Sequence, residues 1–250
     1  VLITGGASGM GAAAAQAFAG GGDKVFVADK DQAAAARTVE QLKAAGGDAQ
    51  RIVCDVADSA SCTRMVSDVL AAAGRLDVLV NSAGVWAEGP TESTTDAEWD
   101  LLMNVNLRGI FYCCRAAIPA LKQSRGCIVN VSSRAGEGAV PEVLLYCVSK
   151  AGVNMMTRCL ALELAPDLVR VNAVCPSDVA TPFLYGQAEK YGGDDPQGYL
   201  AALRKRLPQG ERGRFIKPEE VASLIVYLAS PEAEPITGEC IRMDFGISAR

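Results

Sequence analysis

Short runs of consecutive apolar residues alternate along the chain with longer stretches of helical period. Val1-Leu2-Ile3 precedes a glycine-rich loop, and Lys24 to Ala28 runs into Asp29. Ala49 to Cys54 ends at Asp55, Asp77 to Val80 at Asn81, and Cys127 to Val131 at Ser132-Ser133. Val169 to Val174 leads into Cys175-Pro176, and Cys240 to Met243 closes the series. These runs are continuously apolar, as strands covered on both faces are. Between them, Val153, Met156, Leu160 and Leu164 share one helical face, as do Val221, Leu224, Ile225 and Leu228. Pro218-Glu219-Glu220 places proline and acids at a helix start. Repeated βα units of this kind predict an α/β fold, a doubly wound, mostly parallel sheet of about seven strands. No linker or repeat interrupts residues 1–250, so one domain is expected. The one long stretch without clear pattern, 177–213, is expected to be an irregular, mobile lid over the substrate.

Composition narrows the chemistry. Half of the 250 residues are hydrophobic, which excludes a disordered chain. With no histidine there is no Ser-His-Asp or Cys-His machinery and no HExxH zinc site. Acid–base work must fall to Tyr, Lys, Cys or a shifted carboxylate. A net charge of -5 argues against nucleic acid as a partner. The nine cysteines form no CxxC pair and sit mostly among Val, Ile and Ala, which suits a reducing cytoplasm. No apolar run reaches membrane-spanning length, and no signal-peptide pattern opens the chain. Because it starts inside a strand without Met, a few residues are expected ahead of Val1.

In open α/β sheets, ligands bind beyond the carboxyl ends of the strands, where strand order reverses. There the first run ends in Thr4-Gly5-Gly6-Ala7-Ser8-Gly9-Met10-Gly11. The glycines allow a tight turn and let backbone N–H groups approach a pyrophosphate at the following helix N-terminus. Asp29 lies 18 residues beyond Gly11, where a carboxylate would accept both adenosine ribose hydroxyls and repel a 2′-phosphate. This points to NAD over NADP. Lys30 is the one nearby residue that could favour the phosphate.

The spacing Gly-x-x-x-Gly-x-Gly resembles that of the short-chain dehydrogenase/reductase family, and the resemblance continues along the whole chain. Asp55-Val56 resembles the family's adenine-contacting pair, and Asn81-Ser82-Ala83-Gly84 its Asn-Asn-Ala-Gly segment. Val105-Asn106-Leu107 matches the segment holding the family's catalytic Asn. Ser133 stands 13 residues before Tyr146, and Tyr146-Cys147-Val148-Ser149-Lys150 is similar to its Tyr-x-x-x-Lys. Pro176, Val179 and Thr181 match the nicotinamide-positioning segment, although Ser177 stands where the family usually has Gly. Asp244-Phe245-Gly246 likewise replaces the usual Asp-Gly-Gly. The resemblance implies a Rossmann-like domain, cofactor contacts at Gly5, Ser8, Gly9, Met10, Gly11, Asp29, Asp55, Val56, Asn81, Ala83, Gly84, Tyr146, Lys150, Pro176, Val179 and Thr181, and a homo-oligomer, most often a tetramer.

Tyr146 and Lys150 are i,i+4 on one helix and share a face. A phenol is a poor base at neutral pH, and a neighbouring ammonium favours the phenolate. Tyr146 is therefore expected to be lowered by Lys150 and to exchange a proton with an alcohol or ketone. Ser133, at a strand end, is expected to donate to the substrate oxygen, with Ser132 as the turn residue beside it. The resemblance implies that Lys150 grips the nicotinamide ribose and that Asn106 holds a water in the proton path. For Asn106 alone, a helix–helix hydrogen bond is the alternative. Trp86, Phe183, Leu184 and Tyr185 could form an apolar pocket. Arg134, and the cluster Arg204, Lys205, Arg206, Arg212 and Arg214, could bind an anionic substrate group or lie on a solvated face. The expected activity is NAD-dependent interconversion of a secondary alcohol and a ketone. Its competitors are an NADPH ketoreductase such as a 3-oxoacyl reductase, a non-catalytic dinucleotide sensor, and an epimerase or dehydratase using the same Tyr/Lys pair.

Overall fold

The computed structural model describes residues 1–249. Seven parallel strands form one sheet: β1 Leu2–Thr4, β2 Val25–Asp29, β3 Ala49–Val53, β4 Val78–Asn81, β5 Cys127–Val131, β6 Arg170–Pro176 and β7 Cys240–Met243. Their spatial order is β3-β2-β1-β4-β5-β6-β7, so strand order reverses between β1 and β4. Both β1 neighbours pair in parallel, Leu2 opposite Phe26 on one side and Leu79 on the other. All seven apolar runs of the sequence therefore become strands, shifted by a residue or two at their ends.

Helices cover both faces. Helices α1 (Gly9–Gly20), α2 (Gln32–Ala44) and α9 (Pro218–Ala229) pack on one side with Ile3, Val27 and Val80. Helices α3 (Ser59–Ala73), α5 (Gly109–Ser124) and α6 (Leu144–Leu164) pack on the other, with Leu2, Phe26 and Leu79. Successive residues of the inner strands thus enter different cores, which is why β1, β2, β4 and β5 are mainly apolar, while the edge strand β3 exposes Arg51 and Val53. The short α4 (Asp96–Leu102) starts at a capping box, Thr95 with Glu98.

One sequence expectation needs correction. The stretch 177–213 is not irregular: it carries helices α7 (Pro182–Tyr191) and α8 (Pro196–Lys205). Each begins with Pro at its first position behind a side-chain cap, Thr181 and Asp195 respectively. Such start signals are local and outweigh the Gly192-Gly193-Asp194-Asp195 segment, which is only the turn between two helices. A π-helical turn, Met103–Arg108, precedes α5. At the C-terminus, Phe245 takes the left-handed φ of +54° that a glycine would otherwise supply. The Asp244 carboxylate holds this turn by accepting from the N–H groups of Gly246 and Ser248.

Candidate active site

Two clefts open beyond the carboxyl ends of the strands. The first, of 250 Å³, lies at the switch point between β1 and β4. The second, of 360 Å³, lies between the β5 and β6 ends and the α7–α8 pair. They share Met10, Ser132, Tyr146, Thr181 and Phe183.

The first cleft is built on glycine. Gly5 and Gly9 have φ of +63° and +53°. A Cβ on Gly5 would lie 2.7 Å from the Ala83 backbone, and one on Gly11 would overlap the Gly5 carbonyl oxygen. These residues therefore bring the loop, the α1 start and the β4 end into one tight cradle. No acidic residue stands in the first turn of α1, and Ser8 precedes it with its side chain unused as a cap. The helix N-terminus so faces the cleft with its positive end uncompensated, as an anion such as a pyrophosphate requires. Asp29 lies at the β2 end. Its carboxylate accepts from the Ala7 N–H at 3.3 Å and the Asp31 N–H at 3.0 Å, tying the glycine loop to β2. Asp55, Val56, Ala83 and Gly84 line the same cleft, and so does Lys30. The glycine cradle and helix terminus fit a dinucleotide.

Asn81 departs from the rest of this set. It is buried within β4, where its amide donates to the Asn130 Oδ1 at 2.9 Å, and Asn130 donates in turn to Thr157. This ladder of polar side chains fastens β4, β5 and α6 together below the cleft. Pro176 and Val179 line the second cleft, whereas Thr181 lines both and caps α7.

Tyr146 and Lys150 stand on α6 where the clefts meet. Lys150 is almost wholly buried, and its ammonium donates to the Val131 carbonyl oxygen at 2.8 Å. It also lies 5.6 Å from the centre of the Tyr146 ring. Burial pushes the Lys150 ammonium down to about 8. Burial likewise pushes the Tyr146 phenol up, against a hydrogen bond with Ser133 that lowers it. Desolvation outweighs the Ser133 hydrogen bond, and the lowering expected from Lys150 is not found. Ser133 points its hydroxyl to this junction, while Ser132 donates to the Lys150 carbonyl oxygen at 3.2 Å. The Ser133 hydroxyl also accepts from the Ala135 N–H at 3.1 Å and donates to the Pro176 carbonyl oxygen at 3.5 Å.

Asn106 occupies the π-helical turn. Its amide accepts from the Val85 N–H at 2.8 Å and donates to the Val85 carbonyl at 3.0 Å and the Ser149 hydroxyl at 3.3 Å. It clamps the loop after β4 and also bonds across to α6, so the helix–helix contact is real but is one of three.

The second cleft has an aromatic wall and a polar floor. Trp86 lies 4.4 Å from Tyr146 and 6.4 Å from Phe183, ring centre to ring centre. Leu184 joins them, whereas Tyr185 is exposed and outside the cleft. Of the basic residues, Arg134 and Arg206 reach it. Arg214 instead pairs with Glu220, and Arg204 packs over Phe215. Sequence reasoning missed two carboxylates here. Glu88 accepts from the Trp86 indole at 2.8 Å and from the Tyr199 hydroxyl at 2.9 Å, joining α8 to the loop after β4. Asp178, next to Ser177, lines the floor. Nothing in local spacing marks Glu88, since its partner Tyr199 is 111 residues away.

A family model described as enoyl-(acyl carrier protein) reductase matches residues 5–248. Cyclopentanol dehydrogenase of a Comamonas species is 36% identical over 250 residues, covering 100% of this chain and 96% of that protein. The 3-oxoacyl-(acyl-carrier-protein) reductase of Thermotoga maritima is 38% identical over 247 residues, covering 98% and 96%. Among solved structures, an actinorhodin polyketide ketoreductase variant with NADPH superposes with a TM-score of 0.94 at 32% identity, covering 100% and 97%. With the switch-point cradle and the Tyr146–Lys150 pair in place, these likenesses show that the chain is an oxidoreductase and belongs to the short-chain dehydrogenase/reductase family.

Proposed function

We propose that the protein is an NAD-dependent dehydrogenase that oxidises a secondary alcohol to a ketone, and reduces the ketone in the reverse direction. The observation that carries this is the position of Tyr146, the one acid–base side chain on the wall shared by both clefts. Gly5, Ser8, Gly9, Met10, Asp29, Asp55, Val56, Ala83 and Gly84 hold the dinucleotide, with Gly11 shaping the loop and Pro176, Val179 and Thr181 closing on its nicotinamide end. When bound, the nicotinamide supplies the acceptor for the carbinol hydride.

The chain's residues handle the proton. Ser133 donates to the substrate oxygen, orienting it toward Tyr146 and stabilising charge there. Tyr146 removes the hydroxyl proton as hydride departs from the same carbon, and returns it in reduction. The Lys150 ammonium favours the phenolate and holds the ribose. Asn106 fixes the loop beside Lys150 and is placed to order a water in the proton path. A purified sample that leaves NADH absorbance unchanged across secondary alcohols, polyols, hydroxy acids and steroids, with NAD or NADP, would overturn this reading.

Asp29 decides the dinucleotide. Its carboxylate accepts ribose hydroxyls and repels a 2′-phosphate, so NAD binds more tightly than NADP. Asp29→Ala is expected to narrow that preference at least tenfold, read by titrating both dinucleotides. Equal or tighter NADP binding by the wild type would remove the argument. The second reading, an NADPH ketoreductase, draws on Lys30 beside Asp29 and on the NADPH-bound ketoreductase of similar structure.

The exposed apolar residues Phe111, Leu144, Val148, Met155 and Leu162 lie on α5 and α6. Leu162 is 81% exposed, and this face suits burial between subunits of a homotetramer. Sedimentation at micromolar concentration is expected to show a tetramer, and a monomer would refute the assignment. No helix among the described residues is long and apolar enough to cross a membrane. Free, mostly buried thiols fit a reducing compartment, the cytoplasm.

A further inference from the structure

Ser177 and Asp178 begin the segment between β6 and α7, and both line the second cleft. The Ser177 hydroxyl oxygen is buried and has no hydrogen-bond partner among the described residues. Its backbone N–H donates to the Met243 carbonyl oxygen at 2.9 Å. A buried hydroxyl without a partner is unfavourable. This serine stands in the lining of the second cleft at a position where family resemblance leads one to expect glycine.

Its neighbour supplies the complementary chemistry. Asp178 lines the same cleft as Tyr146 and Tyr199. Burial pushes its carboxyl up, opposed by the Arg134 and Arg206 guanidiniums. Gln187, buried on α7, lines the same space. The floor of the cleft thus offers a carboxylate acceptor, a hydroxyl that donates or accepts, and an amide that does both. The opposite wall, Trp86 and Phe183, is apolar.

We propose that Ser177, Asp178 and Gln187 form a subsite for a second hydroxyl group, so that the substrate class is a vicinal diol or larger polyol. This rests on the alcohol dehydrogenase reading above and deepens it. A carbinol held at Ser133 and Tyr146 directs the adjacent carbon toward this floor. A hydroxyl there donates to Asp178 and accepts from Ser177, while the carbon skeleton lies against Trp86 and Phe183. Sites built to bond a substrate hydroxyl reject analogues lacking it strongly, because their own polar groups are left unpaired.

The test compares cyclopentanol with the isomers of cyclopentane-1,2-diol, which share one ring and differ by one hydroxyl. With NAD, kcat/KM for the best diol isomer is expected to exceed that for cyclopentanol by at least tenfold. Ser177→Ala and Ser177→Gly are each expected to bring that ratio down about tenfold, and Asp178→Asn to reduce it as well. Quenching of Trp86 fluorescence gives diol and cyclopentanol affinities without turnover. Diol binding no tighter than cyclopentanol binding, or a ratio unmoved in both Ser177 variants, would overturn the subsite. Tight diol binding without turnover of any alcohol would uphold the subsite and sink the dehydrogenase reading instead.

Discussion

Tyr146→Phe is expected to lower kcat by about 10²–10⁴-fold, the usual contribution of a general acid–base group, while NAD affinity changes little. The ring is buried and packed 4.4 Å from Trp86, and a phenylalanine ring keeps that contact. What disappears is the hydroxyl that bonds Ser133 and exchanges the proton. With no histidine in the chain, no imidazole can take its place. Because burial pushes the phenol up, the fraction ionised is small at neutral pH and grows as pH rises. Oxidation by the wild type is therefore expected to climb with pH above neutrality, and ketone reduction, which needs the protonated form, is not. The Phe variant should lack that climb in its residual rate. Stopped-flow NADH absorbance and a dinucleotide titration read the two quantities separately. A Phe variant within threefold of wild type, with the same pH profile, would show that another group is the base.

The architecture was legible because it rests on local signals. The inner strands are mainly apolar on successive residues, and β2, β5 and β6 end in residues that line the clefts: Asp29, Val131 and Pro176. That Tyr146 and Lys150 stand together on α6 was legible for the same reason, since i,i+4 spacing on a helix needs no tertiary knowledge. Failures came where distant parts of the chain decide. Asn81 reads like its neighbours in the glycine-bearing segment, yet its amide turns inward because Asn130, on the adjoining strand, offers a buried acceptor. Glu88 was invisible because its role depends on α8, which the sequence reading took for irregular chain. The balance of forces on Tyr146 was misjudged because sequence shows that Lys150 is near but not that both groups are desolvated. For the basic cluster, only packing could tell Arg206, at the cleft, from Arg214, paired with Glu220.

Lys150→Met is expected to separate function from stability, lowering one and raising the other. The ammonium is nearly fully buried with one carbonyl partner, and its ionisation falls to about 8, against an ordinary value of 10.5. That gap corresponds to ~3 kcal/mol by which folding disfavours the charged form. The sign follows from proton counting. Between about pH 8 and 10.5 the unfolded chain binds more protons at this site than the folded one, so wild-type stability rises with pH across that window. Below it the burial penalty is present in full, and above it the penalty is gone. Methionine fills similar space without charge, and losing the bond to Val131 offsets about 1.5–3 kcal/mol of the gain. At pH 7 the variant is expected to melt about 2–4 °C above wild type, as ~1 kcal/mol does for a chain of this size. The advantage should shrink or reverse as pH approaches 10.5. Turnover is expected to fall by at least about 10²-fold because the phenolate loses its neighbouring cation. NAD affinity should fall about 10–100-fold, the worth of one charge-assisted hydrogen bond to the ribose. In the wild type that affinity should weaken as pH rises through about 8, and in the variant it should not. Calorimetric melting and NAD titration across pH 6.5 to 10.5 test both halves. If the variant melts below wild type at every pH, the buried ammonium is not a burden on folding. If its NAD affinity equals that of wild type, Lys150 does not hold the ribose.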